Sequence, residues 1–91
     1  MRESTIERWF AREVKKRGGL CFKFVSPGNA GVPDRIVITP DGRVVFAELK
    51  TQTGRLSKIQ AWQRAEMIKR HADVRVIIGA EDAKAFIEEV F

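Results

Sequence analysis

Apolar residues recur at Ile6, Trp9, Phe10 and Val14, the spacing of one helix face, and the run stops at Gly18-Gly19. Ser4 with Glu7 has the form of a capping box, so a first helix is expected to open there. Leu20 to Val25 reads as a strand. Ser26 to Pro33 is dense in Pro, Gly, Asn and Ser and is expected to be a loop that Asp34 closes. Arg35 to Thr39 and Arg43 to Lys50 are β-branched runs joined by Pro40-Asp41-Gly42, a hairpin signal. The second run is apolar at consecutive positions from Val44 to Ala47, the pattern of a strand covered on both faces.

Beyond the polar stretch Thr51 to Leu56, Ser57 and Gln60 again have the capping-box form. They open a helix expected to carry Ala61, Trp62, Ala65 and Ile68 inward and to run to about His71. Val74 to Ile78 is a short strand, Gly79 a break, and Asp82 to Phe91 a closing helix with Ala83, Phe86, Ile87 and Val90 on its apolar side. The predicted order is αβββαβα, an α/β fold with a small mixed sheet flanked by helices. The hairpin supplies antiparallel pairing, and the segment from the third strand to the fourth supplies a crossover. With 91 residues the chain has room for one compact domain, taken as residues 1–91.

That hairpin carries the first chemical signal. A turn centred on Asp41 places Asp34 directly opposite Glu48, with Cβ atoms ~4.5–5.5 Å apart. A centre half a residue later makes the pair diagonal, still within reach of one ion. Lys50 points from the same strand face as Glu48, while Leu49 points the other way and leaves its carbonyl near the carboxylates. Two acids this close repel unless a cation lies between them, and hard oxygen ligands suit Mg²⁺, with Mn²⁺ as a substitute. Such a site serves phosphodiester hydrolysis, with Lys50 orienting water or neutralising phosphate.

Charge narrows the substrate. The formal net charge is +5, with the excess spread over residues such as Lys23, Arg35, Arg55 and Lys58, which favours a polyanion. Gln60 and Gln63 open the second helix just after the basic loop, where Gln60, Arg55 and Lys58 are placed to hold a backbone phosphate. Helix one offers a further acid, either Glu3 on the continued apolar face or Glu7 at its edge. Other residues read as structural: Cys21 as a buried thiol, His71 as a helix C-terminal residue, and Trp9 and Trp62 as core. No apolar run approaches the ~20 residues of a membrane span. The charged N-terminus, Met1-Arg2-Glu3, lacks the n-region and h-region of a secretion signal, which predicts a cytoplasmic protein.

The ordered set Glu3, Gly31-Val32-Pro33-Asp34, Glu48-Leu49-Lys50 and Gln60 closely resembles the virus-type replication-repair nuclease (VRR-NUC) domain. That family belongs to the PD-(D/E)XK superfamily of restriction-endonuclease-like enzymes. The likeness runs from Glu3 to about Ile78. It implies a restriction-endonuclease-like core in which Asp34 and Glu48 ligate the metal, the Leu49 carbonyl assists, and Lys50 is the catalytic lysine. Glu3 matches the acid that opens the family's first helix, and Gln60 the glutamine after its catalytic strand. For a stand-alone chain of this size it further implies a homodimer acting on branched DNA such as four-way (Holliday) junctions, in DNA repair or recombination, within a bacterial or phage-infected cell. Two readings compete. A non-catalytic basic nucleic-acid-binding module predicts salt-sensitive binding without divalent ions, and a sequence-specific restriction enzyme needs surface for reading bases that so short a chain lacks.

Overall fold

The computed structural model describes residues 2–91. Its elements follow the expected order: α1 (Glu3–Lys16), β1 (Leu20–Lys23), β2 (Arg35–Ile38), β3 (Val44–Lys50), α2 (Lys58–Lys69), β4 (Val74–Ile78) and α3 (Gly79–Val90). Helix α1 begins earlier than the capping-box reading of Ser4 predicts. Its N-cap is Arg2, which makes no side-chain cap, and Glu3 already lies in the first turn. The other end is as expected. Gly18 takes φ +83°, and the N–H groups of Gly18 and Gly19 donate to the carbonyls of Lys15 and Val14. That pair of bonds is a Schellman stop, which a left-handed glycine makes inexpensive.

The four strands lie in the order β1-β2-β3-β4, antiparallel for the first two pairings and parallel for β3 with β4. The hairpin register matches the reading from the turn: Arg35 faces Ala47 and Ile38 faces Val44. Thr39 accepts the N–H of Gly42 on its carbonyl and the N–H of Arg43 on its hydroxyl, and Gly42 takes φ +87° to close the turn.

One side of the sheet is packed and the other is largely not. Ile6, Phe10 and Val14 of α1 and Ala83, Phe86 and Ile87 of α3 cover Val37, Val45, Ala47, Leu49 and Ile77, all buried. Trp9 and Cys21 pack against this cluster, as their apolar settings predict. On the far side Val44 is 46% exposed and Phe46 half-buried, so β3 is not covered on both faces. Its apolar run marks a one-sided core and an open face.

Helix α2 carries the capping box of Ser57 with Gln60, both bonds present. Its apolar residues, however, do not turn inward. No α2 residue is buried, and Trp62 and Ile68 are 56% and 41% exposed. The helix is anchored instead through polar groups, chiefly Gln60 and Gln63, so those set its rotation. His71 follows the helix in the left-handed region at φ 67°. At α3 the first turn starts at Gly79, and the Asp82 carboxylate accepts the N–H of Ile78. Among the described residues no helix is long and apolar enough to cross a membrane.

Candidate active site

Strand alternation sends Glu48 and Lys50 to the side of the sheet opposite α1 and α3, at the β3 end. Extending the hairpin register by one residue sets Asp34 opposite Glu48. The backbone locks this junction: Phe24 donates its N–H to the Asp34 carbonyl at 2.8 Å, and the Leu49 N–H donates to Asp34 Oδ2 at 3.2 Å. Glu48 is only 3% exposed. Its Oε2 stands 3.6 Å from Lys50 Nζ and accepts a hydrogen bond from Gln60 Nε2 at 3.2 Å.

Gln60 is fixed from both ends of its amide. Its Oε1 accepts the Ser57 N–H at 2.9 Å as part of the helix cap, which turns its NH₂ toward Glu48. One side chain therefore closes a helix N-terminus and orients a buried carboxylate. The loop that carries Asp34 is seated on the same helix. Gly31 takes φ +87°, and a Cβ there would lie 2.8 Å from the Ile59 carbonyl oxygen. Gln63 Nε2 also donates to the Ala30 carbonyl at 3.1 Å. The glutamine pair at helical spacing in the sequence signals this seat, but only the fold shows what each amide holds.

Burial first, and then the hydrogen bond and charge of Asp34, push the Glu48 carboxyl up from 4.5 to about 8, with Lys50 pulling it back down. A buried acid that resists ionising beside a second acid is what an oxygen-ligated cation relieves. The chemistry of the donor set fits a hard divalent ion: two carboxylates opposite one another beside the Leu49 backbone.

The remaining expected site residues divide. Lys23, Arg55 and Lys58 are exposed, with Arg55 donating to its neighbour's carbonyl at Gly54. Arg35 is not available to nucleic acid. Alternation turns it to the α1 side, where it is 9% exposed and stands 3.7 Å from Glu7 with no hydrogen-bond partner for its Nε. Glu3 does not join Asp34 and Glu48. Among the described residues no three His, Cys, Asp or Glu side chains group closely enough to hold one metal. The reason is layering: α1 packs on the face of the sheet that Glu48 points away from, and Glu7, the other candidate acid of this helix, stands beside Arg35.

No family model matches the chain. It is 34% identical over 90 residues to "Putative nuclease p44" of Acyrthosiphon pisum secondary endosymbiont phage 1, across 99% of this chain and 96% of that protein. A solved structure described as "VRR_NUC domain" superposes with a TM-score of 0.89 at 27% identity, covering 98% of this chain and 97% of that one.

Proposed function

This chain belongs to the VRR-NUC family, and from that premise we propose that it is a nuclease that hydrolyses DNA phosphodiester bonds with the help of a divalent cation. The observation that carries the reading is the buried Glu48, opposite Asp34 and in contact with both Lys50 and Gln60. Asp34 and Glu48 hold the cation, with the Leu49 carbonyl as a third donor. Bound there, Mg²⁺ or Mn²⁺ supplies charge neutralisation at the phosphate and lowers the pKa of water. Lys50 orients the attacking water or neutralises the scissile phosphate, and Gln60 fixes the carboxylate that Lys50 faces. Lys23, Arg55 and Lys58 contact the DNA backbone. Glu3 is given no ligand role.

The preferred substrate in this reading is branched DNA such as a four-way junction, met in repair or recombination, with two copies of the chain cutting two strands. A homodimer supplies two identical sites related by a two-fold axis, which one 91-residue chain does not. The test is incubation with four-way junction, flap, single-stranded and linear duplex DNA, with and without Mg²⁺, followed by sizing of products. Mg²⁺-dependent incision of the junction in preference to linear duplex is expected. Salt-sensitive binding with no Mg²⁺-dependent product would leave a non-catalytic binding module instead.

A further inference from the structure

The side of α1 turned away from the sheet is basic along its length. Ile6, Phe10 and Val14 are buried, and at ~100° per residue Arg8, Arg12, Lys15 and Lys16 gather on the opposite side, all four exposed. The three acids of the helix lie elsewhere. Glu3 falls on the buried side by the same spacing, Glu7 stands beside Arg35, and Glu13 takes Arg17. Among the described residues none of the four cations is ion-paired. A chain of formal net charge +5 would keep only +1 without these four.

This arrangement works against the helix itself. Arg8 with Arg12, and Arg12 with Lys16, are like charges one turn apart, which repel. The helix dipole favours Lys15 and Lys16 in the last turn, but its influence does not extend to Arg8 or Arg12. An external polyanion is what offsets the repulsion. From Arg8 to Lys16 the helix rises ~12 Å, the axial length of about three to four phosphates of one DNA strand at ~3.4 Å each. Lys23 widens the surface: it faces Arg35 across the β1–β2 pairing, and Arg35 points to Glu7, so Lys23 projects on the α1 side of the sheet. A membrane surface would take the apolar face of such a helix, and here that face is committed to the core.

Glu48 points to the side of the sheet away from α1, and the molecule is 22 Å across its shortest axis. A duplex seated on the Asp34–Glu48 site must bend round the domain to reach the outer side of α1, against a stiffness that persists over ~150 base pairs. A second arm of a branched DNA reaches it unbent. We propose that Arg8, Arg12, Lys15 and Lys16 of α1, with Lys23 of β1, form a second DNA-backbone surface that holds an arm other than the one being cut. The identity of that arm rests on the branched-DNA reading above, whereas contact with a phosphate backbone does not. Cations on phosphates carry no base information, so this surface selects the shape of the DNA and not its sequence.

Binding measured in chelator, where no metal is present for cutting, tests the surface by titrating salt against a four-way junction and a linear duplex of equal length. Arg8→Gln with Arg12→Gln is expected to weaken junction binding by at least ~10-fold at ~0.1 M salt and to lower the slope of log affinity against log salt by ~2, with the linear duplex changed by less than ~3-fold. Circular dichroism is expected to stay native and the melt not to fall, because both positions are exposed and two like-charge contacts are removed. Should that variant lose its fold, Lys15→Gln with Lys16→Gln reads the same surface. Lys69→Gln with Arg70→Gln removes equal charge from the end of α2 and is expected to leave junction binding within ~3-fold. Unchanged junction binding in the α1 variants overturns the proposal. So does an equal loss on linear duplex, which would put α1 under the same duplex as the site, and so does an equal loss from the α2 variant, which would leave only net charge. Cutting assays on the same samples keep the two ideas apart. A wild type that binds the junction through α1 but makes no Mg²⁺-dependent product keeps this surface and removes the nuclease reading, whereas Mg²⁺-dependent cutting with an unaltered salt slope in the α1 variants does the reverse.

Discussion

Replacing Glu48 by Gln separates the electrostatics of the site from its chemistry. Glu48 is 3% exposed, and burial with Asp34 opposite raises its carboxyl from 4.5 to about 8. Between those two values the folded protein holds a proton that the unfolded chain has released. Stability of the metal-free protein is therefore greatest below about 4.5, falls as pH rises through the window, and levels off above about 8. The full shift corresponds to an upper limit of ~5 kcal/mol, and relaxation of the site with water entry reduces the expected loss to roughly 2 kcal/mol. For a domain of this size that is roughly 10 °C in Tm. Glu48→Gln keeps the shape and does not titrate, so with chelator present it is expected to be the more stable protein at pH 8 by about the same amount. Excess Mg²⁺ is expected to restore wild type by mass action and to leave the variant unmoved. Urea and thermal melts of both proteins in chelator, across pH 5 to 9, measure this. Parallel pH curves for the two would refute the account of Glu48 as a buried acid held protonated by its surroundings.

Three further outcomes are expected. Lys50→Ala, which removes the cation 3.6 Å from Glu48, is predicted to lower DNA cutting by ~10²–10³-fold while leaving DNA binding within a few-fold, read by product sizing and a binding isotherm. Undiminished cutting would remove Lys50 from the mechanism. Gly31→Ala places a Cβ against the Ile59 carbonyl at φ +87° and is expected to cost ~2–3 kcal/mol in urea melts, whereas Gly28→Ala, at φ +79° but in open space, costs only ~1 kcal/mol. Equal losses at the two glycines would show that the seat of the loop on α2 is not tight. Gln60→Leu removes both the cap bond to Ser57 and the bond to Glu48, so about 1–2 kcal/mol of stability and most of the cutting should go together. A variant that loses stability but cuts normally would reduce Gln60 to a helix cap.

Much of the site is local in sequence, and local geometry made it legible. The tight turn at Pro40-Asp41-Gly42 fixes the hairpin register, and a period of two then places Asp34, Glu48 and Lys50 together. Ser57 and Gln60 are three residues apart, so their reciprocal cap was readable as a helix start. The contact of Gln60 with Glu48 was not, because twelve residues and a loop separate the partners. The same limit explains the helix-one acid. Spacing ranks Glu3 and Glu7 on a helix face, but which sheet face that helix covers is settled by long-range packing.

The amino-acid sequence thus determined the order of elements, the one apolar face of α1 and the opposition of the two carboxylates, all consequences of turn chemistry and periodicity over a few residues. Tertiary structure alone decided that Arg35 is buried beside Glu7, that Trp62 faces outward, and that the apolar rows through Phe22 and Phe46 lie open. Periodicity says which side chains share a face. It does not say what covers that face, because covering is a contest among distant segments for one surface, and here α1 and α3 together bury one side of the sheet while α2, held by its glutamines, leaves most of the other bare.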